Sequence, residues 1–215
     1  KVDPIYYWSI ISDLPTNTAC LIEDIDSLFP SFQIKTFKLF DSAEDLNYYL
    51  PRIEDYIKGQ ESLILNRAGK PTRFGSQSHE ILKGSMNTSI VNLKTQLLTV
   101  ISQFIECHPL LLQFGRHKPF KNELSGWAVV LNKGGFQKRH IHPEAIVSGV
   151  VYIKLSDETK DKSVSAGNLL FHSSMKQVMV TPEEGLVALF PSYLAHETIP
   201  IETDHERICI AFNYC

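Results

Sequence analysis

The stretch "RHIHPEAIVSGVVY", Arg139 to Tyr152, sets two imidazoles one residue apart just before a run of Val, Ile and Tyr. Residues i and i+2 of a strand project from the same face, with Cα atoms roughly 6.5 to 7 Å apart. His140 and His142 can therefore lean toward one metal ion at about 2.0 to 2.2 Å. A third ligand has to come from elsewhere, and "FPSYLAHETIP" offers His196 at the end of another β-rich run. Beyond it, Arg207 heads the apolar stretch "ERICIAFNY", where a cation is costly unless an anion meets it. These residue types, so spaced, point to a metal centre beside an anion clamp.

Such side chains need rigid elements to hold them. From Leu124 onward the chain breaks into short β-rich runs, "GWAVVLN", "AIVSGVVYIKL", "NLLFH", "KQVMVTP", "GLVALFP" and "ERICIAFNY", punctuated by Gly, Pro, Asp and Ser. That texture predicts an antiparallel sandwich or barrel. "FQIKTFKLF", Phe32 to Phe40, alternates as a half-buried strand does. Two helices precede the β-rich half. One is capped by Asp41 or Ser42, carries Pro51 as a kink and stops at Gly59. The other opens at Thr88 or Ser89 and runs toward Cys107, with Ile90, Leu93, Leu97, Val100, Ile101 and Phe104 at helical spacing. "LSDETKDKSVSAG", Leu155 to Gly167, lacks periodicity and is expected to form a hairpin loop. "PTRFGSQS", Pro71 to Ser78, reads as a turn in which Arg73 and Gln77 are candidates for ligand contacts, and Trp127 is expected to pack in the core, with the pocket wall as its alternative place.

At these residues the sequence resembles the non-haem iron, 2-oxoglutarate-dependent dioxygenases. The pattern of that family is H-x-D, a distal His and a later Arg or Lys; here it reads His140, Ile141 and His142, then His196, then Arg207. "SGVVYIKL" resembles the strand after the first ligands, and "GNLLF" the G-G-x-L-x-F strand. "TPEEGLVALFPSYLAHETIPI" resembles the P-x-x-G-x-x-x-x-F-P-S-x-x-x-H segment, and "PTRFGSQS" the T-R-G-G-x-Q-S stretch of one bacterial and phage branch with an H-x-H-P motif. The likeness runs from Phe32 to Cys215 and is strongest after Trp127. It implies an α+β, mainly β fold: a double-stranded β-helix (jelly-roll) sandwich buttressed by N-terminal helices. It implies Fe(II) on His140, His142 and His196, with 2-oxoglutarate as co-substrate on Arg207 and O2 as oxidant. Tyr152 and Asn213 become polar partners of the same co-substrate. The activity implied is that of an oxidoreductase hydroxylating a protein side chain or a small metabolite.

His142 stands where the family usually has a carboxylate. Either its imidazole ligates, or it turns away and water takes the position, or Glu144 bends in. Two rival functions keep the same fold. A cupin-like metalloprotein that does not use 2-oxoglutarate fits less well, because Glu144 follows His142 too closely and Gly185 precedes His196 from too far away. The other rival is a non-catalytic jelly-roll binding module, which has no reason to keep Arg207 with three histidines.

Composition narrows the partners. The 215 residues are 43% hydrophobic, enough to fill the core of one domain over 32–215, and 1–31 reads as an N-terminal arm or the end of a trimmed upstream region. A net charge of −3 supplies no global basic field, so no nucleic-acid partner is expected. No apolar run is long enough to suggest a membrane partner. Four scattered cysteines without a CxxC pair are expected to be free thiols in a reducing, cytoplasmic compartment. Alternating strands leave sheet edges through which two copies could pair as a homodimer. His79, His108, His117, His172 and His205 match no motif position and are expected to be structural.

Overall fold

The computed structural model describes residues 34–40, 42–108, 111, 121–161, 163–172 and 177–215; the expected arm over 1–31, Asp41 and His117 lie outside them. A short strand β1 (Lys35–Lys38) falls inside the predicted alternating run. Helix α1 (Ala43–Lys58) follows, with the Ser42 hydroxyl accepting from the Asp45 amide at 3.0 Å and Gly59 at its end. Pro51 lies inside it, and Leu50, Ile53 and Ile57 form its buried stripe. Strands β2 (Ile64–Leu65) and β3 (Thr72–Glu80) make an antiparallel pair. The segment read as a turn at Pro71 to Ser78 is therefore mostly strand.

Helix α2 (Thr88–Glu106) buries Ile90, Leu93, Leu97, Val100, Ile101 and Phe104, the positions that helical spacing selects. It opens at Thr88, as the sequence predicts, and its cap is Asn87, whose side-chain oxygen accepts from the amides of Ser89 and Ile90. Each fully buried Leu or Ile on this face contributes roughly 1.5–3 kcal/mol.

The β-rich half supplies β4 (Leu124–His140), β5 (Val147–Lys154), β6 (Leu169–His172), β7 (Gln177–Val180), β8 (Leu186–Pro191), β9 (Ala195–Thr198) and β10 (Arg207–Tyr214). Between β5 and β6, the expected hairpin loop contains one helical turn, α3 (Asp157–Lys160), capped by the Ser156 hydroxyl on the Thr159 amide. Acidic Asp157 and Glu158 favour its N-terminus, a cue that lack of periodicity hides.

All pairings are antiparallel, and the path runs β1-β8-β5-β10-β4-β9-β6-β7, with β3 on the other side of β4. One long strand turns the corner of this jelly roll. The first half of β4 pairs with β10, and its last residues pair with β9. The bend falls at "NKGGF", where Gly134 has φ +73° and a Cβ on Gly135 would stand 2.5 Å from the Asn132 carbonyl oxygen.

Strand alternation then separates two cores. On β10, Ile208, Ile210 and Phe212 pack with α1 and α2, whereas Cys209 joins Val129, Val150, Tyr152, Phe171 and Phe190 on the inner side. Arg207, Cys209, Ala211 and Asn213 all line one inner cavity. Among the described residues no helix is long and apolar enough to cross a membrane.

Candidate metal centre

His140 is the last residue of β4 and sits directly across from His196 on β9. Their ring centroids are 4.4 Å apart. Strand alternation does not place His142, because β4 has already ended. The chain turns after His140, the His142 amide donates to the Ser192 carbonyl at 2.9 Å, and the ring swings back to 4.9 Å from His140 and 5.2 Å from His196. One nitrogen from each of the three rings lies within 4.8 Å of the others. An ion held at about 2.0–2.1 Å from imidazole nitrogens needs only small side-chain adjustments to join them.

Two of the rings are held from behind. His140 Nδ1 lies 2.7 Å from the Lys138 carbonyl oxygen and His196 Nδ1 lies 2.8 Å from that of Leu194. An Nδ1–H donating to each carbonyl leaves the Nε2 lone pair for a metal, the arrangement by which backbone partners orient imidazole ligands. Burial pushes all three pKa values down. That of His142 falls to about 3, through desolvation first, then the charges of His140 and Lys70. That of His196 falls well below 6.5 through burial, with His140 adding to it, and that of His140 falls through burial despite its backbone hydrogen bond. All three are neutral, and so in the ligating form, at neutral pH.

The clamp lies in the same cavity, of about 370 Å³. Arg207 is 1% exposed, and its Nε has no hydrogen-bond partner. Among the described residues it makes a long 3.5 Å approach to Cys209 Sγ and meets the face of Tyr152, whose ring centroid is 4.9 Å from Cζ. No carboxylate pairs with it among the described residues. Tyr152 is fully buried, and its hydroxyl also lacks a hydrogen-bond partner among the described residues; burial raises its pKa, so it stays protonated. Asn213 also lines the cavity, but beside His142 instead of Arg207: its Nδ2 is 3.5 Å from His142 Nδ1, and its Oδ1 accepts from the Ser148 hydroxyl at 2.8 Å.

The residues fit the groups that sequence reading implied. Three neutral imidazoles suit Fe(II) as a donor set, and a desolvated, unpaired guanidinium suits a carboxylate. Sequence reading missed other parts of the wall. Trp127 is not one of them: it packs against the inner core as expected and also takes its alternative place in the cavity wall, with its ring 5.8 Å from that of His142. Gln137, Thr198 and Phe190 line it too. The polar Gln137 three residues before His140 was the one available cue. Of the remaining histidines, His79 meets Arg67, His172 meets Glu197 at 2.8 Å, and His108 accepts from the Leu111 amide; none joins the cluster.

A jelly roll whose inner face joins a three-histidine cluster to a buried arginine has the parts that a non-haem metal-dependent oxygenase needs. Residues 125–213 match the model of a family described as "Putative 2OG-Fe(II) oxygenase". The matched segment carries His140, His142, His196 and Arg207, and the family so described uses Fe(II), 2-oxoglutarate and O2.

Solved structures agree on the fold. A prolyl hydroxylase from Trichoplax adhaerens, in complex with a hypoxia inducible factor peptide fragment, has 16% identity and a TM-score of 0.61, over 91% of this chain and 89% of that one. A Pseudomonas putida prolyl-4-hydroxylase has 16% identity and a TM-score of 0.58, over 91% and 97%. HygX from Streptomyces hygroscopicus, with nickel and 2-oxoglutarate bound, has 13% identity and a TM-score of 0.50, over 85% and 82%. No curated protein matches the chain.

Proposed function

We propose that this chain hydroxylates a polypeptide side chain or a small metabolite, with Fe(II) on His140, His142 and His196 and 2-oxoglutarate on Arg207. The observation that carries this reading is the Arg207 guanidinium, buried and with a free Nε in the cavity that the three imidazoles share. An unpaired cation there costs several kcal/mol. A carboxylate that forks onto it offsets that cost. Hydroxylases and a protein with 2-oxoglutarate bound among the similar structures support the reading.

When bound, the metal, 2-oxoglutarate and O2 supply oxidation of a C–H bond coupled to loss of CO2 and release of succinate. The chain does the rest. His140 and His196, anchored through Nδ1, present fixed neutral donors, and His142 takes the position usually held by a carboxylate, so the ligand set carries no charge of its own. Tyr152 stacks on Arg207 to aim its guanidinium and offers a hydroxyl to the same carboxylate. Asn213, tied to Ser148, steadies the His142 ring. Val150, Leu169 and Phe190 keep the cavity water-poor, which strengthens every polar contact in it.

Protein supplied with Fe(II), 2-oxoglutarate and O2 is expected to form succinate slowly without added substrate. His140→Ala and His196→Ala are expected to lose this activity while keeping the wild-type circular dichroism spectrum. Succinate formation that survives in both variants overturns the reading.

A further inference from the structure

One polar cluster in the cavity wall is distinct from the three imidazoles and Arg207. Thr72 on β3 is fully buried, Gln77 on β3 is 2% exposed and Gln137 on β4 is 9% exposed. The Thr72 hydroxyl donates to Gln77 Oε1 at 2.9 Å and accepts from Gln137 Nε2 at 3.4 Å. Both glutamines line the cavity. Gln77 Nε2 and Gln137 Oε1 are left without a partner among the described residues.

A hydroxyl has one proton. Here that proton goes to Gln77 Oε1, so Gln137 meets the hydroxyl through its NH2 group. Reversing both amides reverses the roles and nothing else. In these two arrangements the glutamines that line the cavity keep one NH2 group and one carbonyl oxygen free to take a partner. We propose that this pair receives an amide of the primary substrate, a peptide bond or a carboxamide, whose C=O and N–H answer the two glutamines together. This inference rests on the oxygenase reading of the site and names its substrate class. 2-Oxoglutarate answers the pair poorly, because at neutral pH it carries acceptors only and leaves the glutamine carbonyl without a donor. Thr72 is then a positioning residue, and Gln77 and Gln137 bind.

The test uses capped dipeptides, N-acetyl and N-methylamide, alongside matched depsipeptides in which the amide N–H is replaced by oxygen, and isobutyramide as a carboxamide without a peptide bond. Binding to the metal-free protein is read by saturation-transfer NMR, and stimulation of succinate formation is read in parallel. Wild type is expected to bind at least one capped dipeptide, or isobutyramide if the natural group is a carboxamide. The depsipeptides should require at least a tenfold higher concentration. Thr72→Val should shrink that ratio to near one, and Thr72→Ser, which restores the hydroxyl, should keep it. Absence of binding by any amide, equal binding of dipeptide and depsipeptide, or a ratio unchanged in Thr72→Val overturns the inference. Amide-selective binding with no succinate formed under any condition leaves this inference standing and removes the oxygenase reading instead.

Discussion

His140 and His196 stand opposite one another across β4 and β9, with ring centroids 4.4 Å apart and each Nδ1 resting on the carbonyl oxygen two residues earlier in its own chain. Two anchored imidazoles from different strands form the rigid half of the candidate metal centre. Replacing either with Ala is expected to weaken Fe(II) binding by more than about 100-fold, since loss of an outer-shell partner alone costs 10–100-fold. Anaerobic equilibrium dialysis against Fe(II) measures it.

His142 is held differently, from a turn pinned by Ser192. His142→Asp restores the carboxylate usual in such sites and is expected to keep both metal and turnover. His142→Ala, with no donor, should lose at least about tenfold in metal affinity. Full turnover in the alanine variant would show that water completes the site and that the third imidazole is dispensable.

Arg207 sets function against stability. Removing one partner of a buried charge pair costs about 2–5 kcal/mol, so Arg207→Met is expected to raise the KM for 2-oxoglutarate by at least about 30-fold while leaving Fe(II) affinity nearly unchanged. The same variant should melt no lower than wild type in the absence of 2-oxoglutarate, because an apolar side chain replaces a desolvated, unpaired cation. A scanning calorimetry trace with and without the co-substrate checks both halves.

The three imidazoles also give the metal-free protein an acid-labile fold. Their folded-state pKa values lie below the ordinary 6.5, to about 3 for His142. Between that value and 6.5 the unfolded chain binds more protons than the folded one, so stability falls as pH drops through this window. Urea unfolding in EDTA is expected to show a lower midpoint at pH 5 than at pH 7. His196→Gln, which removes one such group, should flatten the dependence.

Gly75 marks where β3 presses against β4. A Cβ there would stand 2.5 Å from the Val130 carbonyl oxygen and 3.1 Å from the Leu131 Cα, neither of which can move aside cheaply. Gly75→Ala is expected to cost about 1–3 kcal/mol and, by prying β3 from β4, to disturb the Thr72 and Gln137 contact. Chemical denaturation gives the first effect, and the dipeptide to depsipeptide ratio gives the second.

Much of this protein was legible in its residues. The helical stripe of α2 and the alternation of β10 follow from periodicities of 3.6 and 2, and these two patterns decide which face of each element meets the core. Arg207 at the head of an apolar strand and three histidines in β-rich surroundings were visible as chemistry without any coordinates. Pro71 to Ser78 was misread because Gly and Ser are turn residues locally, whereas pairing with β4 overrides that preference. Trp127 packs against the inner core as expected and also lines the cavity, because a buried strand and a cavity wall have the same composition.

What the sequence by itself determined is the inventory: which imidazoles, which guanidinium, and the alternation that turns Arg207, Cys209, Ala211 and Asn213 to one side. Only the tertiary structure decided that His142 reaches the site from a turn beyond the strand end, and that Asn213 serves its ring. Only long-range pairing of β3 with β4 put Thr72 between Gln77 and Gln137. The physical reason is the range of the forces involved. Side-chain alternation is set by neighbouring backbone dihedrals, whereas the closure of a cavity depends on contacts between residues far apart in the chain, and no local pattern encodes those distances.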